Sequence, residues 1–223
     1  MATLNDPNVA ANIVGVGGVA GTNPLHVLLK PLPYGALGHY RLNLRINSTT
    51  AQAANSRILE IRNADASNLL VPTRLTLRAL QTVAGTAQEN SLDVYKVTGF
   101  TAVDTTNTVT PTSSVKRTAG MAAFPGTNIS IRHLTLAGAA AGMTGGTLTK
   151  DAQAFASLPY NVAAAISTTY LWGPLDVMDD VNGTHPFVFA QNEGLIVENR
   201  VLNVTSYGIT WYLDFSWAVV PAF

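Results

Sequence analysis

The chain predicts an all-β fold: a two-sheet antiparallel sandwich, jelly-roll-like, with an extended N-terminal arm. The strongest observation is the stretch from Ile209 to Val219, whose odd positions Ile209, Trp211, Leu213, Phe215, Trp217 and Val219 are all large and apolar. Between them stand Thr210, Tyr212, Asp214, Ser216 and Ala218. Alternate side chains of a strand face opposite ways, so this period of two describes a half-buried strand. Helical spacing would set Asp214 and Ser216 among the aromatics, and Trp, Phe, Ile and Val favour strands in any case. A second run, His39 to Ile46, alternates as cleanly, with Tyr40, Leu42, Leu44 and Ile46 inward and His39, Arg41, Asn43 and Arg45 outward. Finally, turn-forming clusters punctuate a series of short strand-like runs, and amphipathic helical spacing is almost absent, as a sandwich requires.

Taken in order, residues 1–24 form the predicted arm. Glycines at 15, 17, 18 and 21 make a helix costly there. Ile13, Val14, Val16 and Val19 are too apolar for a plain linker, so the arm is expected to order against a partner. Residues 25–223 are the predicted sandwich domain. Its strands are expected at Leu25–Leu29, His39–Ile46, Ser56–Arg62, Arg74–Leu80, Ser91–Thr98, Asn128–Leu136, Tyr160–Ser167 and Phe187–Ala190. Leu195–Val204 and Ile209–Val219 read as a final hairpin closed by Thr205-Ser-Tyr-Gly. The regions of about 99–127 and 137–157 are rich in Thr, Ser, Gly and Ala and read as loops. No fixed-period repeat appears, which argues against a propeller or a solenoid.

Composition narrows the function. Lys plus Arg equals Asp plus Glu at 13 each, so no basic excess exists to hold nucleic acid by its phosphates. Charged residues make up 12% of the chain, against about 25% in ordinary soluble domains. So little charge suits a surface that neighbours cover. With no cysteine there is no disulfide, thiolate nucleophile or cysteine-held metal. The start Met1-Ala-Thr-Leu-Asn-Asp-Pro lacks a secretory pattern, and no apolar run of about 18 residues predicts a membrane span. Cytoplasmic assembly is expected, with no membrane partner.

Chemistry is hard to place. His26, His39, His133 and His185 are scattered, with no i, i+2 pair to present a metal from one strand face. No Gly-x-Ser-x-Gly turn is present for a nucleophilic serine. Asp179-Asp180 reads as part of a solvated turn rather than a glycosidase pair. Neither an enzyme activity nor a cofactor is expected. Two polar groups remain. His39, Arg41 and Arg45 share a strand face and could donate to carboxylates across an interface, or simply be solvated. Glu193, in the turn Gln191-Asn-Glu-Gly, could pair with an arginine or stand free, with Gly194 giving the turn a permissive backbone.

Particular residues also resemble a family. Leu25-His-Val, Lys30-Pro-Leu-Pro-Tyr-Gly-Ala-Leu-Gly-His-Tyr-Arg and Ala54-Asn-Ser-Arg-Ile-Leu-Glu-Ile-Arg resemble the N-terminal half of tailed-bacteriophage virion proteins. His185-Pro-Phe-Val-Phe-Ala-Gln-Asn-Glu-Gly-Leu-Ile-Val and the closing aromatic strand resemble their C-terminal part. The resemblance covers both ends of the chain and not about 85–150. It implies a virion component, a capsid decoration or cement protein with a jelly-roll core. Its partners would be the major capsid protein and further copies of itself, and it carries over no catalytic residues. The alternative is a tail or fibre-tip module that recognises host glycan, for which Tyr160, Tyr170 and Trp172 are the candidate aromatics.

Overall fold

The computed structural model describes residues 38–48, 52–111, 115–116, 129–134, 142–166, 169–179, 187–201 and 208–221. The apolar arm residues Ile13, Val14, Val16 and Val19, and the strand expected at Leu25–Leu29, lie outside them.

Alternation of apolar and polar residues builds the first sheet. β1 (His39–Ser48) buries Tyr40, Leu42, Leu44 and Ile46 and exposes Arg41, Asn43, Arg45 and Asn47. β2 (Ser56–Asn63) is buried almost throughout. β3 (Asn68–Val83) and β4 (Gln88–Ala102) are long, β5 (Thr108–Val109) and β6 (Val115–Lys116) very short. β7 (Ile129–Leu134), β8 (Thr147–Lys150), β9 (Ala156–Val162) and β10 (Tyr170–Asp179) follow. β11 (Gly194–Asn199) and β12 (Gly208–Pro221) complete the series.

These strands form two antiparallel sheets. Sheet A has the order β10-β3-β12-β1-β6, and sheet B the order β5-β7-β2-β11-β4-β8, with β9 also paired to β4. Pairing is nested: β1 with β12, β2 with β11, β3 with β10 and β4 with β9. The β12–β3 and β11–β4 ladders then join these pairs side by side.

The inner faces meet in one apolar core. Sheet A contributes Leu42, Ile46, Leu75, Leu77, Trp211, Phe215 and Trp217, and sheet B contributes Ile61, Val94, Ile131, Leu158 and Val197. Trp217 stacks on Phe215 at 5.0 Å between ring centroids and on Tyr40 at 5.5 Å. Such ring pairs add roughly 0.5–1.5 kcal/mol each beyond the area they bury. The odd residues of β12 therefore do what their alternation predicts.

Several expectations change. β11 and β12 are not a hairpin: β11 lies between β2 and β4 in sheet B, β12 between β1 and β3 in sheet A. Adjacent, apolar and antiparallel runs fit a hairpin locally, yet each completes a different layer. Phe187–Ala190 is not a strand; it makes a single bridge, Phe189 to Leu70. Asp179, expected with Asp180 in a solvated turn, is the last residue of β10, while Asp180 lies outside the described residues. β8 falls inside a region read as loop.

The turn before β11 is also built differently. Its left-handed residue is Asn192 (φ 66°), not Gly194. Gly194 is buried in β11, where an added Cβ would fall on the carbonyl oxygen of Ile61 in β2. Close strand approach, rather than turn conformation, requires glycine there.

Candidate interaction surface

Each sheet has an outer face, and the two differ. On sheet B, one group of outward charges is drawn down and covered by the chain's own segments. Arg57 donates to Glu60 at 2.9 Å and to Asp104 at 3.3 Å, with both carboxylates fully buried. Asp104 in turn accepts the backbone N–H of Thr106 at 2.6 Å and of Gly145 at 2.7 Å. Glu60 accepts the Asp104 N–H at 3.2 Å. One guanidinium thus ties the 104–106 and 142–146 segments to β2. Gly145 and Gly146 permit the approach: a Cβ on Gly145 would meet the Asp104 carboxylate at 2.8 Å, and Gly146 has φ +73°. Burial pushes the Glu60 carboxyl above its ordinary range, although Arg57 and the Asp104 N–H pull it down.

Next to this cluster, Lys150 pairs with Glu198 and lies 3.9 Å from the Tyr95 ring centroid. A shallow hollow of about 430 Å³ opens here, lined by Asn55, Arg57, Thr144, Thr147 and Glu198. Its charged lining is already paired, Arg57 with Glu60 and Asp104, and Glu198 with Lys150. At the far side of the sheet, His133 is buried and its Nδ1 lies 2.8 Å from the Leu134 carbonyl oxygen, so Nδ1 carries the proton. Burial lowers the His133 pKa, against the small upward pull of that bond. Among the described residues, no group of three or more His, Asp or Glu side chains converges as a metal site would require.

Sheet A keeps its outer face open. The register brings outward residues of β1, β12, β3 and β10 into rows. Arg41, Ser216 and Arg74 form one row. Asn43, Asp214, Thr76 and Asp176 form the next. Arg45, Tyr212 and Arg78 form the third. Arg41, Arg45, Arg74 and Arg78 are all exposed. Arg41 makes a forked pair with Asp214, its Nε at 2.8 Å from Oδ1. Arg74 donates to Thr76 at 3.1 Å, and Thr76 to Asp176 at 2.5 Å. Arg45 lies over the Tyr212 ring at 6.0 Å. Among the described residues, neither Arg45 nor Arg78 has a carboxylate within ion-pair distance.

Of the residues singled out from sequence, Arg41 and Arg45 stand on this face as expected. His39 does not present a donor to solvent: it is 8% exposed and its Nε2 lies 2.9 Å from the Thr73 hydroxyl on β3. Glu193 turns back on its own loop, its Oε2 accepting the Ala190 N–H at 3.0 Å, while Arg62 donates to Asn192 instead. Arg74, Arg78 and Tyr212 were missed as members of the surface. Their alternation is visible in sequence, but the register that aligns them with β1 is not.

The aromatics considered for glycan binding separate. Tyr160 is buried, its hydroxyl donating to Asn199 at 2.7 Å. Trp172 is half-buried between Tyr160 and Tyr170, each ring at 6.1 Å. Only Tyr170, 40% exposed, is open to a ligand.

Comparison of the chain with protein-family models, with curated proteins and with solved structures returns no match.

Proposed function

We propose that this chain is a non-enzymatic structural protein of a tailed-phage virion, which binds the capsid exterior as a homo-oligomer and reinforces contacts between shell subunits. The nested pairing of β1 to β4 with β12, β11, β10 and β9 supports reading the sandwich as a jelly roll, a double sheet of eight main strands. The observation that carries the proposal is the contrast between the outer faces. On sheet B the 104–106 and 142–146 segments and the Arg57 ion pairs cover part of the outer face, whereas sheet A offers an exposed face of arginines around Tyr212. Small reactants are bound in concave, largely apolar pockets. An exposed face set with Arg and Tyr suits another protein, since these residues are enriched where proteins meet. The low charge content supports a molecule with covered surfaces. The apolar arm, with Ile13, Val14, Val16 and Val19, supplies a second point of attachment.

Reconstitution tests this directly. Capsids purified without this chain are mixed with the full-length protein, and with a variant lacking residues 1–20, and bound protein is measured after sedimentation. Saturable coating by the full chain, lost in the truncated but still folded variant, is expected. Failure of the full chain to bind at any concentration contradicts the reading, and equal binding by both removes the arm from it.

A further inference from the structure

The row Arg45–Tyr212–Arg78 is the best-formed recognition feature outside the core. Its central Tyr212 is half-buried, with Arg45 of β1 and Arg78 of β3 opposite it in the register. Arg45 rests over the ring, which holds the guanidinium in place by cation–π attraction and reduces the entropy lost on binding. Two rows further along lie Arg41 and Arg74, with Ser216 between them.

Strand geometry sets the scale of this surface. Four residues along a strand span about 13–14 Å, and two strand spacings about 9.5 Å. The arginines therefore mark the corners of a rectangle of roughly that size. Across its middle stands Asp214 on β12, and the same row continues through Thr76 to Asp176 on β10, one strand beyond the Arg74–Arg78 side. Asp214 is paired with Arg41, so among the described residues the corners without a carboxylate partner include Arg45 and Arg78.

We propose, building on the coat-protein reading above, that this face docks a protein surface presenting discrete carboxylates, one set against Arg45 and Arg78 and a second against Arg74 and Arg41. Charge complementarity selects this occupant. Guanidinium groups recognise carboxylates by paired, planar hydrogen bonds. Tyr212, between Arg45 and Arg78 in one end row, adds apolar contact area of the aromatic kind enriched where proteins meet. A nucleic-acid backbone is the other anion an arginine face attracts, but its charges are closely and continuously spaced. It would cross the Asp214–Asp176 row and be repelled there. A protein partner avoids this by placing a neutral or donor group over the acidic row. Asp214 also holds Arg41 by its forked pair, so that corner is oriented before any partner arrives.

The test compares the full-length chain with Arg45→Glu/Arg78→Glu. Both positions are exposed, so the fold is expected to survive, and circular dichroism with thermal melting verifies that. Should the reversal disturb folding, Arg45→Gln/Arg78→Gln serves in its place. Binding is measured on an immobilised random glutamate–alanine copolymer, on an immobilised DNA oligonucleotide, and on capsids lacking the chain. The wild type is expected to be retained on the copolymer at low salt and released as salt rises. The variant is expected to lose at least about tenfold in apparent affinity, the effect of about 1.4 kcal/mol. Equal retention of variant and wild type on the copolymer, or tighter binding of the wild type to DNA, overturns the inference. Equal binding of both proteins to capsids overturns it too and leaves the coat-protein reading standing. No capsid binding by either protein, with copolymer retention lost only in the variant, upholds the face and removes the coat-protein reading.

Discussion

At the scale of single residues, the polar interior of sheet B separates groups that hold the fold from groups that respond to pH. Arg57, Glu60 and Asp104 form a satisfied buried network. Removing one partner from such a network is far more damaging than the pair is stabilising, because a charge is left buried and alone. His133 behaves differently, since burial depresses its pKa below the ordinary value of about 6.5. Between its folded and unfolded values, the unfolded chain binds the extra proton, so stability rises with pH in that window. Its contribution is full above the unfolded value and is lost as pH falls below it. Glu60 acts in the opposite sense, because its raised value makes the folded state hold a proton more tightly. The His133 contribution lowers the denaturant midpoint at about pH 5.5 relative to about pH 7.5, and it is isolated by comparing wild type with a variant lacking that imidazole. His133→Asn, which keeps a donor near the Leu134 carbonyl, should flatten that difference. Parallel pH dependences for the two proteins would remove His133 as the cause.

At the scale of elements, strands whose faces differ in polarity were legible, as were the apolar buried runs of β2 and β11, whereas β10, broken by register slips, was not. β1 and β12 alternate between core and solvent, and sequence places both correctly, including the burial of Trp211, Phe215 and Trp217. β10 is an edge strand of sheet A whose pairing slips between Trp172 and Leu175 and again between Asp176 and Met178. Those slips, with Gly173 and Pro174, erase the period of two that would reveal a strand. They also keep this edge from offering a regular ladder to another chain. Of the interaction surface, Arg41 and Arg45 were legible because one strand carries both. Arg74, Arg78 and Tyr212 join them only through pairing between strands far apart in sequence, as in the Arg41–Asp214 contact over 173 positions. His39 shares the parity of Arg41 but is buried against Thr73, a contact that no single-strand pattern contains. Gly194 illustrates the same limit: it reads as a turn glycine, whereas β2 lies too close to admit a Cβ. Gly194→Ala is accordingly expected to destabilise the protein by about 1–3 kcal/mol, as overpacked cores do. Its denaturant midpoint against wild type checks this, and an unchanged midpoint would mean that the β2–β11 spacing relaxes freely.

At the scale of the whole molecule, the described residues give sheet B an outer face partly covered by the chain's own segments and sheet A an open one. Sheet B holds the Arg57, Glu60 and Asp104 charges in a buried network, and sheet A turns its row-patterned arginines outward. A protein built this way, with few charges overall, is suited to being one member of a close-packed layer. The coat reading makes a quantitative demand on particles, because a protein that reinforces the shell must be present wherever shell subunits meet. The most direct measurement is the copy number of this chain in purified virions, by quantitative mass spectrometry with the shell subunit as internal reference. The account predicts an abundance comparable with that of the shell subunit; a trace amount matching a tail or fibre component, or none, would contradict it.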